Sequence, residues 1–522
     1  MMPLPLSPTV RCGDWPRLSA RRCPDRIALI ADGRELTFAE FNSRVNRAAT
    51  SLRDAGISRG DRVAIFANDT HRYLEVVFAC MKLGAVYVPL NPRLTGAELQ
   101  RLLDVCEPAS LFYGRRYADL VSGVRATSIK ETVCLDSTDS LGSDYEAWAA
   151  RGVDEEIDTE VDDNDLACLA FTSGTTGTPK AVMHSQAFTK YGTMQSIVER
   201  RLPEGAVHYS ASSLFHISGR LYALAGVMRG STSLLLPQFE AATVLEHLGS
   251  GRVHGAFLVP TMIGALLDLP AVADADFSAL QSIVYGGAPM SVPLLRRAME
   301  TFDCDFIQMF GAGTEAGLQT VLTPEDHRRA LDGEEHLLGS IGRPGFGVDL
   351  RLVDEKFRDV PAGAVGEIAT RADACMSGYL DHPEETARAQ RDGWVRSGDL
   401  ARADEESFLY LQGRRDDMIL RGGENIYPKE IEEVLSRCPG VREVAVVGVP
   451  DQRWGQIVRA HVVLTQDAAQ AGFDAELARS FCRVRLAAYK VPAEFRIEAR
   501  LPRNATGKLL KTELLQEGRP TA

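Results

Sequence analysis

Several features that would place a protein in a familiar class are missing from this chain of 522 residues. No apolar run approaches the length that crosses a bilayer. The ten cysteines form no C-x-x-C pair and no cluster with histidine at zinc-binding spacing, which argues against a structural metal site. We interpret them as reduced thiols that fill the core of a cytoplasmic protein.

Excess positive charge is also missing, because 58 Lys and Arg residues face 71 Asp and Glu residues. The net charge of −13 argues against nucleic acid or an anionic membrane as a partner. Residues 1–5 (MMPLP) lack the regions of a secretory signal, and Arg519–Ala522 does not match a peroxisomal address. We therefore expect a cytoplasmic protein without a membrane span.

The length and the order of apolar segments predict the fold class. A chain of 522 residues is too long for one ordinary core, so two or more domains are expected. Strand-like runs at residues 61–66 and 85–90 enclose helical spacing over residues 73–83, and Thr37 with Glu40 predicts a helix start. Weaker strand signals lie at residues 128–129 and 133–135. This alternation predicts an α/β protein with parallel sheets.

The chain is organised around residues 171–180 (FTSGTTGTPK), which follow an apolar, strand-like run at residues 166–170. Such a loop can aim backbone N–H groups and hydroxyls at phosphate oxygens, and Lys180 adds a positive charge. The spacing is not that of a Walker A loop, since Ala181 follows the lysine. A surface linker is the alternative for this composition, but a linker would not need this order after a buried strand.

Further motifs follow in a fixed order. His216 stands in SLFHISG, a glycine pair stands in IVYGGAP at residues 283–289, and residues 308–317 read QMFGAGTEAG. Downstream come RSGDL at residues 396–400, GRRDDMILRGGENIYPKEIE at residues 413–432, and LPRNATGKLLK at residues 501–511. Singly, each has an ordinary alternative: a core histidine, a plain turn or a solvated charged face.

Together these segments resemble the adenylate-forming superfamily, which contains acyl-CoA synthetases (AMP-dependent synthetases and ligases), peptide-synthetase adenylation domains and luciferases. The resemblance extends over about residues 20–515. It implies a large N-terminal AMP-binding and acyl-binding domain of layered sheets and helices, residues 1–412. A small, mobile α+β domain, residues 413–522, would follow on a hinge near Asp416.

The resemblance also implies a role for individual residues. The catalytic set would be Lys508, His216, Thr314 and Glu315, with Glu315 also holding Mg²⁺. The nucleotide-binding set would be Thr172, Ser173, Gly174, Thr175, Thr176, Lys180, Gly287, Ala288, Phe310, Gly311, Ala312, Gly313, Asp399 and Arg414. The acyl-binding set would be His216, Gly219, Val259, Thr261 and Gly286, and the pair near the coenzyme A tunnel would be Gly422 and Gly423.

The implied reaction has two halves. A carboxylate attacks ATP to give acyl-AMP and pyrophosphate, and a thiol then displaces AMP. The implied cofactors are ATP or acyl-AMP, Mg²⁺ and coenzyme A, and the partner is a small carboxylic acid or its adenylate. Phe215-His216 stands where amino-acid-activating domains usually place Phe-Asp, which argues against an α-amino acid. No carrier domain adjoins the chain, and luciferases share the motifs, so an acyl- or aryl-CoA synthetase fits best.

One motif departs from the family pattern. The family takes five residues from the aromatic residue to the glutamate, whereas Phe310–Glu315 takes six. Either one residue is inserted or Gly311 replaces the aromatic residue. An insertion could displace the following residues by about 3.5 Å, or form an outward bulge without cost. The altered motif also resembles an acyl-CoA ligase of a platensimycin-type diterpenoid antibiotic pathway.

Three functions follow from these alternatives. The departure predicts a ligase in which adenylation is weak or lost while acyl-AMP is still converted to the thioester, with a separate adenylating enzyme as the partner that would supply the acyl-AMP. A fully active aryl- or fatty-acyl-CoA synthetase and a non-catalytic relative that binds acyl-AMP are the alternatives. The acyl group and the oligomeric state are not readable, and a homodimer is left open.

Overall fold

The computed structural model describes residues 10–136, 142–172, 180–288, 290–421, 424–471, 473–503 and 509–516. The chain divides into two compact units: Met1–Asp349 with Thr370–Val395, and Leu350–Ala369 with Arg396–Ala522. The second unit thus includes residues that precede the predicted boundary at residue 412. That boundary and the hinge at Asp416 stay predictions.

The strands, in chain order, are β1 (Ile27–Ala31), β2 (Arg34–Thr37), β3 (Arg62–Phe66), β4 (Val86–Pro89), β5 (Ser110–Tyr113), β6 (Glu131–Cys134), β7 (Ser143–Asp144), β8 (Leu166–Phe171), β9 (Ala181–Ser185), β10 (Val207–Ser210), β11 (Thr232–Leu234), β12 (Gly255–Leu258), β13 (Ser282–Gly286), β14 (Asp305–Gly313), β15 (Gly317–Leu322), β16 (Arg343–Pro344), β17 (Asp349–Val353), β18 (Gly366–Arg371), β19 (Gly378–Tyr379), β20 (Gln390–Arg391), β21 (Trp394–Ala403), β22 (Leu409–Arg414), β23 (Ile419–Arg421), β24 (Glu424–Ile426), β25 (Val441–Asp451), β26 (Gly455–Leu464) and β27 (Glu494–Ile497).

The α-helices are α1 (Trp15–Arg22), α2 (Phe38–Asp54), α3 (His71–Leu83), α4 (Gly96–Cys106), α5 (Ala118–Ser122), α6 (Tyr145–Ala149), α7 (Gln186–Glu199), α8 (Ile217–Arg229), α9 (Ala241–Leu248), α10 (Pro260–Leu267), α11 (Val292–Phe302), α12 (Pro324–Leu331), α13 (Pro383–Ala389), α14 (Pro428–Leu435), α15 (Gln466–Ala471), α16 (Ala475–Arg483) and α17 (Lys511–Gln516).

Two large sheets organise the first unit. The nine-stranded sheet has the order β16-β15-β14-β13-β12-β10-β11-β1-β2, and its strands from β14 to β1 are parallel. The eight-stranded sheet has the order β19-β9-β8-β4-β3-β5-β6-β7. At one edge, β9 pairs antiparallel with both of its neighbours, β8 and β19. Strands such as β12 are buried along their whole length, as expected in a parallel sheet covered on both faces. The predicted α/β class with layered sheets is confirmed.

Short-range signals in the sequence explain where several helices begin and end. Thr37 and Glu40 form the predicted capping box at the start of α2. Helix α3 ends at Gly84, which adopts a left-handed conformation (φ 69°) that glycine tolerates. The large core cluster that joins the two sheets includes residues of β1, β3, α2, α3 and α8. Of the two weaker strand predictions, the one at residues 133–135 corresponds to β6, whereas residues 128–129 form no strand.

The second unit contains two small sheets. In one, β22 pairs antiparallel with residues 399–403 of β21. In the other, β25 and β26 form a long antiparallel pair, and β23 and β27 both pair with the edge of β26 that faces away from β25. Helices α14 and α16 pack on this sheet through Ile431, Leu435 and Cys482. The smaller domain therefore has the predicted mixture of helices and antiparallel strands.

The structure bears on two expectations: that the cysteines are core residues and that the chain has no membrane span. All ten cysteines are free thiols, eight of them buried, and burial raises the pKa of the Cys12 thiol to about 12. A thiol with a raised pKa is a poor nucleophile, so the interpretation as core residues is confirmed for Cys12. Within the described ranges, no helix combines the length and the apolar character that crossing a bilayer requires.

Candidate active site

Four loops of the predicted site lie at one edge of the nine-stranded sheet. Strands β10, β12, β13 and β14 are parallel, and each is followed directly by a predicted segment. These segments are residues 212–219, residues 259–261, Gly287 with Ala288, and residues 310–315, of which residues 310–313 form the end of β14 and Thr314 with Glu315 follow it. The carboxyl edge of parallel strands is where ligands usually bind in α/β proteins. The fold therefore brings together four predicted segments from separate parts of the chain.

The turn that carries His216 is compact. A Cβ atom on Gly219 would lie 2.0 Å from the Ser212 carbonyl oxygen and 2.4 Å from that of Ser213, so only glycine fits. His216 lies immediately before α8, with its ring 4.0 Å from the Phe215 ring. Burial, together with nearby Arg93 and Arg220, lowers the pKa of His216 to about 4. The imidazole is therefore neutral near pH 7 and would contact a carboxylate by hydrogen bonding.

Two buried charged residues that sequence reasoning missed support this turn. The Asp69 carboxylate accepts a hydrogen bond from the Leu214 backbone N–H at 2.9 Å. Arg220 Nη1 donates to the carbonyl oxygens of Leu214 and Phe215 at 3.4 and 3.3 Å. Asp69 is 145 residues from Leu214 in sequence. No local pattern could have identified this contact.

Asp69 should make stability depend on pH. Burial raises the pKa of Asp69 to about 7, although the Leu214 N–H opposes the shift. The native state then holds a proton that the unfolded chain loses near pH 4, so this contribution to stability falls as pH rises from 4 to 7. Between pH 5 and pH 8 the loss should be about 2–3 kcal/mol. Urea unfolding at both pH values measures it.

The Asp69→Asn variant is the control for this prediction. The amide oxygen can still accept from Leu214, but it carries no titrating proton. The difference in stability between pH 5 and pH 8 should therefore shrink in the variant by the amount assigned to Asp69. An identical pH dependence in both proteins would contradict the protonation of Asp69.

The glycine turn after β13 is a second close-packed element. Gly286 pairs with Met309 of β14, and a Cβ atom at Gly286 would lie 2.2 Å from the Met309 carbonyl oxygen. Gly287 is left-handed (φ 75°), and its nearest side-chain neighbour is Val259, 3.8 Å from the position of a Cβ. Thr261 lies in the first turn of α10 and is exposed. Gly287 and Val259 of the predicted sets thus lie side by side.

The six-residue segment forms a bulge at Ala312. On β14, Gly311 pairs with Leu318 and Gly313 with Gly317, so Ala312 is the extra residue. Its side chain does not point outward: it packs against the cluster of Val182, Ala316, Met376 and Val395. The alternative of an outward-pointing bulge is therefore wrong, because this apolar cluster accommodates the methyl group.

A second irregularity balances the first. Phe310 pairs with Thr320 and Gly311 with Leu318, which leaves Gln319 as an extra residue on β15. Three residue steps separate Phe310 from Gly313, and three separate Thr320 from Gly317, so the strands return to register. Gly311 itself cannot bear a side chain, since a Cβ would lie 2.0 Å from the Gly317 carbonyl oxygen.

Thr314 and Glu315 are held by neighbours on the other large sheet. His184 of β9 donates from Nε2 to the Thr314 carbonyl oxygen at 2.7 Å, and burial lowers the pKa of His184 to about 3. The Thr314 hydroxyl donates to Glu315 Oε2 at 2.6 Å, and the Tyr379 hydroxyl donates to Oε1 at 3.3 Å. The Glu315 carboxylate is therefore oriented from two sides.

Lys180, at the end of the predicted phosphate loop, lies near Tyr379, the residue that also contacts Glu315. The Thr172 N–H donates to the Lys180 carbonyl oxygen at 3.1 Å, which closes the loop at its base. The Lys180 ammonium lies 5.0 Å from the centre of the Tyr379 ring. Ser173, Gly174, Thr175 and Thr176 lie outside the described residues. Lys180 and Glu315 thus share Tyr379 as a neighbour.

The donor atoms around Glu315 fit the predicted Mg²⁺. The Glu315 carboxylate is a hard oxygen ligand of the kind that Mg²⁺ prefers, and the two hydroxyls that donate to it fix its orientation. Mg²⁺ commonly takes one or two protein carboxylates and completes its coordination with water and substrate phosphates. When bound, it would neutralise phosphate charge, and Glu315 would be the residue that holds it.

The remaining predicted residues belong to the second unit. Arg414 Nη1 donates to Asp399 Oδ1 at 3.2 Å, and these residues face each other on β21 and β22. Both are partly accessible, and either could contact a ribose hydroxyl. The backbone of Asp416 lies in a short 3₁₀ turn over Arg415–Asp417. Gly422, Gly423 and Lys508 lie outside the described residues.

Comparisons with known proteins agree on one family. The model of the AMP-binding enzyme matches residues 17–380, and the model of the AMP-binding enzyme C-terminal domain matches residues 430–508. A feruloyl-CoA synthase of Amycolatopsis sp is 36% identical over 96% of this chain and 98% of its own. A fatty acid–[acyl-carrier-protein] ligase, ScoC, of Streptomyces coeruleorubidus is 33% identical over 95% and 94%.

A solved structure has the same fold over nearly the whole chain. The amide bond synthetase McbA from Marinactinospora thermotolerans superposes with a TM-score of 0.87 at 30% identity. The superposition covers 97% of this chain and 100% of that one.

Proposed function

The chain belongs to the AMP-binding enzyme family, and from this premise we propose that it forms an acyl-CoA thioester from an acyl-adenylate. The matched relatives of the chain include acyl-CoA ligases and other acid ligases. The observation that carries the proposal is the site at the carboxyl edge of the nine-stranded sheet, next to the phosphate loop. That site combines a neutral histidine, two close-packed glycine turns and an oriented carboxylate. Coenzyme A would supply the thiol, and the predicted cofactors are ATP or acyl-AMP and Mg²⁺.

We propose an apolar acyl group without an ammonium group. Near pH 7, His216 carries no charge, and the other members of the predicted acyl-binding set include Gly219, Val259 and Gly286. No carboxylate stands next to His216 in sequence to pair with a substrate ammonium. Aryl, fatty and polycyclic acids are therefore the classes to test.

We propose further that formation of the adenylate is weak in this protein. The bulge at Ala312 lies between Phe310, predicted to pack on adenine, and Thr314, predicted to contact the phosphates. The Thr314 hydroxyl already donates to Glu315 at 2.6 Å, so a phosphate oxygen would have to replace that hydrogen bond. A small misplacement of a group in the first half-reaction can cost about 100-fold in rate. Displacement of AMP by a thiol does not need the phosphate contact of Thr314; it needs a bound adenylate, whose adenine Phe310 could still hold.

A second candidate, a complete acyl-CoA synthetase, is favoured by the paired irregularities. Because Gln319 balances Ala312, the strands regain register at Gly313 and Gly317. Thr314 is also held firmly by His184. In this alternative the bulge is absorbed before the phosphate-contacting residues, and both half-reactions proceed.

Separate assays of the half-reactions distinguish these functions. Aryl, fatty and polycyclic acids are supplied with ATP and Mg²⁺, and pyrophosphate release is measured. The corresponding acyl-AMPs are supplied with coenzyme A, and thioester formation is measured. We expect thioester formation with one acyl class and little pyrophosphate release from the matching acid.

Each other result has a definite meaning. Pyrophosphate release at an ordinary rate of about 1–100 per second would support the complete synthetase. Binding of acyl-AMP without thioester would support a non-catalytic relative. Transfer to a carrier protein or an amine, the chemistry named for two of the relatives, would change the acceptor but not the acyl-AMP.

Four expectations stay predictions: a diterpenoid antibiotic pathway of the platensimycin type, a separate adenylating enzyme as a partner, a homodimer and a cytoplasmic location.

A further inference from the structure

A second cavity lies in the first unit at the amino edge of the nine-stranded sheet. It has a volume of about 120 Å³ and is bordered by His254, Gln281, Ser282 and Asp305, which lie at or just before the amino ends of β12, β13 and β14. The predicted catalytic loops follow the carboxyl ends of the same strands. This cavity is therefore separate from the candidate active site.

Arg200 places a buried positive charge in the wall of this cavity. It follows the last residue of α7 and is 5% exposed. Its guanidinium carbon lies 3.2 Å from the centre of the Tyr222 ring, and Nη1 donates to Ser196 Oγ at 3.3 Å. Among the described residues, no carboxylate oxygen lies within 4.0 Å of its guanidinium.

The adjacent arginine shows what an ordinary surface arginine does here. The backbone of Arg201 is left-handed (φ 49°). The side chains of Arg200 and Arg201, although adjacent in sequence, therefore lie in different environments, one buried and one exposed. The Arg201 side chain is 59% exposed and binds both carboxylate oxygens of Glu325 at 2.8 Å. The exposed arginine thus has a counter-charge, while the part of the chain that the structure describes supplies none to the buried one.

Burying a guanidinium without a counter-charge is costly, because protein dipoles replace water poorly. Arg200 remains charged near pH 7 even though burial lowers its pKa to about 10. The other charged groups of the lining balance each other: Arg201 binds Glu325, and Asp305 accepts from Arg328 at 2.7 Å. One positive charge is therefore left over at Arg200.

Polar groups near Arg200 could hold the oxygens of an anion. Ser282 contributes a hydroxyl to the lining. His254 Nδ1 accepts from the Val207 N–H at 3.1 Å, so its ring proton is on Nε2, a hydrogen-bond donor. The carboxylate of Asp305 in the same wall disfavours a doubly charged guest such as phosphate.

We propose that this cavity is a binding site for a small monoanionic carboxylate, held by Arg200. A volume of about 120 Å³ admits a guest of a few heavy atoms, and Arg pairs with carboxylates through parallel hydrogen bonds. Tyr222 and His208 border this cavity and also a smaller one next to Gly219. A bound carboxylate would therefore lie behind side chains that reach toward the acyl-binding turn.

Acetate is the probe for this site. Full-length protein with saturating AMP is melted in sodium acetate and in sodium chloride of equal ionic strength. Wild type should melt about 2 °C higher in acetate at ten times the dissociation constant. Arg201→Gln, the matched control, should keep this increase, and Arg200→Gln should lose it.

A second measurement does not depend on any variant. Crystals of wild-type protein soaked in sodium acetate should show difference density for a carboxylate in the cavity, within reach of the Arg200 guanidinium. Equal acetate shifts in wild type and Arg200→Gln, or no shift in wild type, would overturn the proposal. If Arg200→Gln does not fold, absence of acetate density in the wild-type cavity overturns the proposal and its presence supports it.

Discussion

Deletion of Ala312 should raise acid- and ATP-dependent pyrophosphate release by about 100-fold, the cost of a small misplacement of catalytic groups. Ala312 is the extra residue between Phe310 and Thr314, and its methyl group is anchored in an apolar cluster. Without it, the segment has the five-residue spacing of the family, so the adenine contact and the phosphate contact can form together. Steady-state pyrophosphate release with the acid that the half-reaction assays select is the measurement.

Two controls separate spacing from other effects. Ala312→Gly removes the methyl group but keeps six residues, so it should not raise pyrophosphate release. Thioester formation from acyl-AMP should stay within a few-fold in both variants, which reports an intact fold. Unchanged pyrophosphate release in the deletion variant, with thioester formation preserved, would show that the bulge does not limit adenylation.

Lys508→Ala should abolish most of the adenylation that the deletion restores, by about 100-fold or more. By resemblance, this cation lies between the carboxylate and the α-phosphate, where two negative groups must approach each other. It is not needed when a neutral thiol displaces AMP from the adenylate. The variant is therefore made in the Ala312-deleted background, where pyrophosphate release is large enough to measure the loss.

Lys511→Ala is the matched control for this prediction. Lys511 is another cation of the same C-terminal segment, and its ammonium binds Glu432 at 2.8 Å. Its removal should leave pyrophosphate release nearly unchanged. With synthetic acyl-AMP, both lysine variants should keep most thioester formation. A severe loss of thioester formation in Lys508→Ala alone would contradict the role given to that lysine.

Local sequence signals predicted many elements of this structure correctly. The capping box at Thr37 and Glu40 starts α2, and the apolar run at residues 166–170 is β8. The predicted strands at residues 61–66 and 85–90 correspond to β3 and β4. Each of these signals depends on residues only a few positions apart, through side-chain periodicity or a backbone hydrogen bond.

The bulge marks the limit of such reasoning. The count of six residues from Phe310 to Glu315 is visible in the sequence and predicts an irregularity. The direction in which the bulge points and the second bulge at Gln319 that restores the register are not visible in the sequence. They depend on pairing with β15 and on the apolar cluster around Met376. An extra residue can be absorbed in several ways, and packing against distant segments selects one of them.

The sequence alone determined the family, the order of the motifs and the α/β fold class, because these follow from short-range patterns that recur in one order. Only the tertiary structure decided which ionisable side chains lie behind the site. Asp69 meets Leu214 across 145 positions, His184 meets Thr314 across 130, and Arg200 stacks on Tyr222 of α8. Such contacts arise when sheets and helices pack, and the cost of burying a charge depends on that packing rather than on neighbours in the chain.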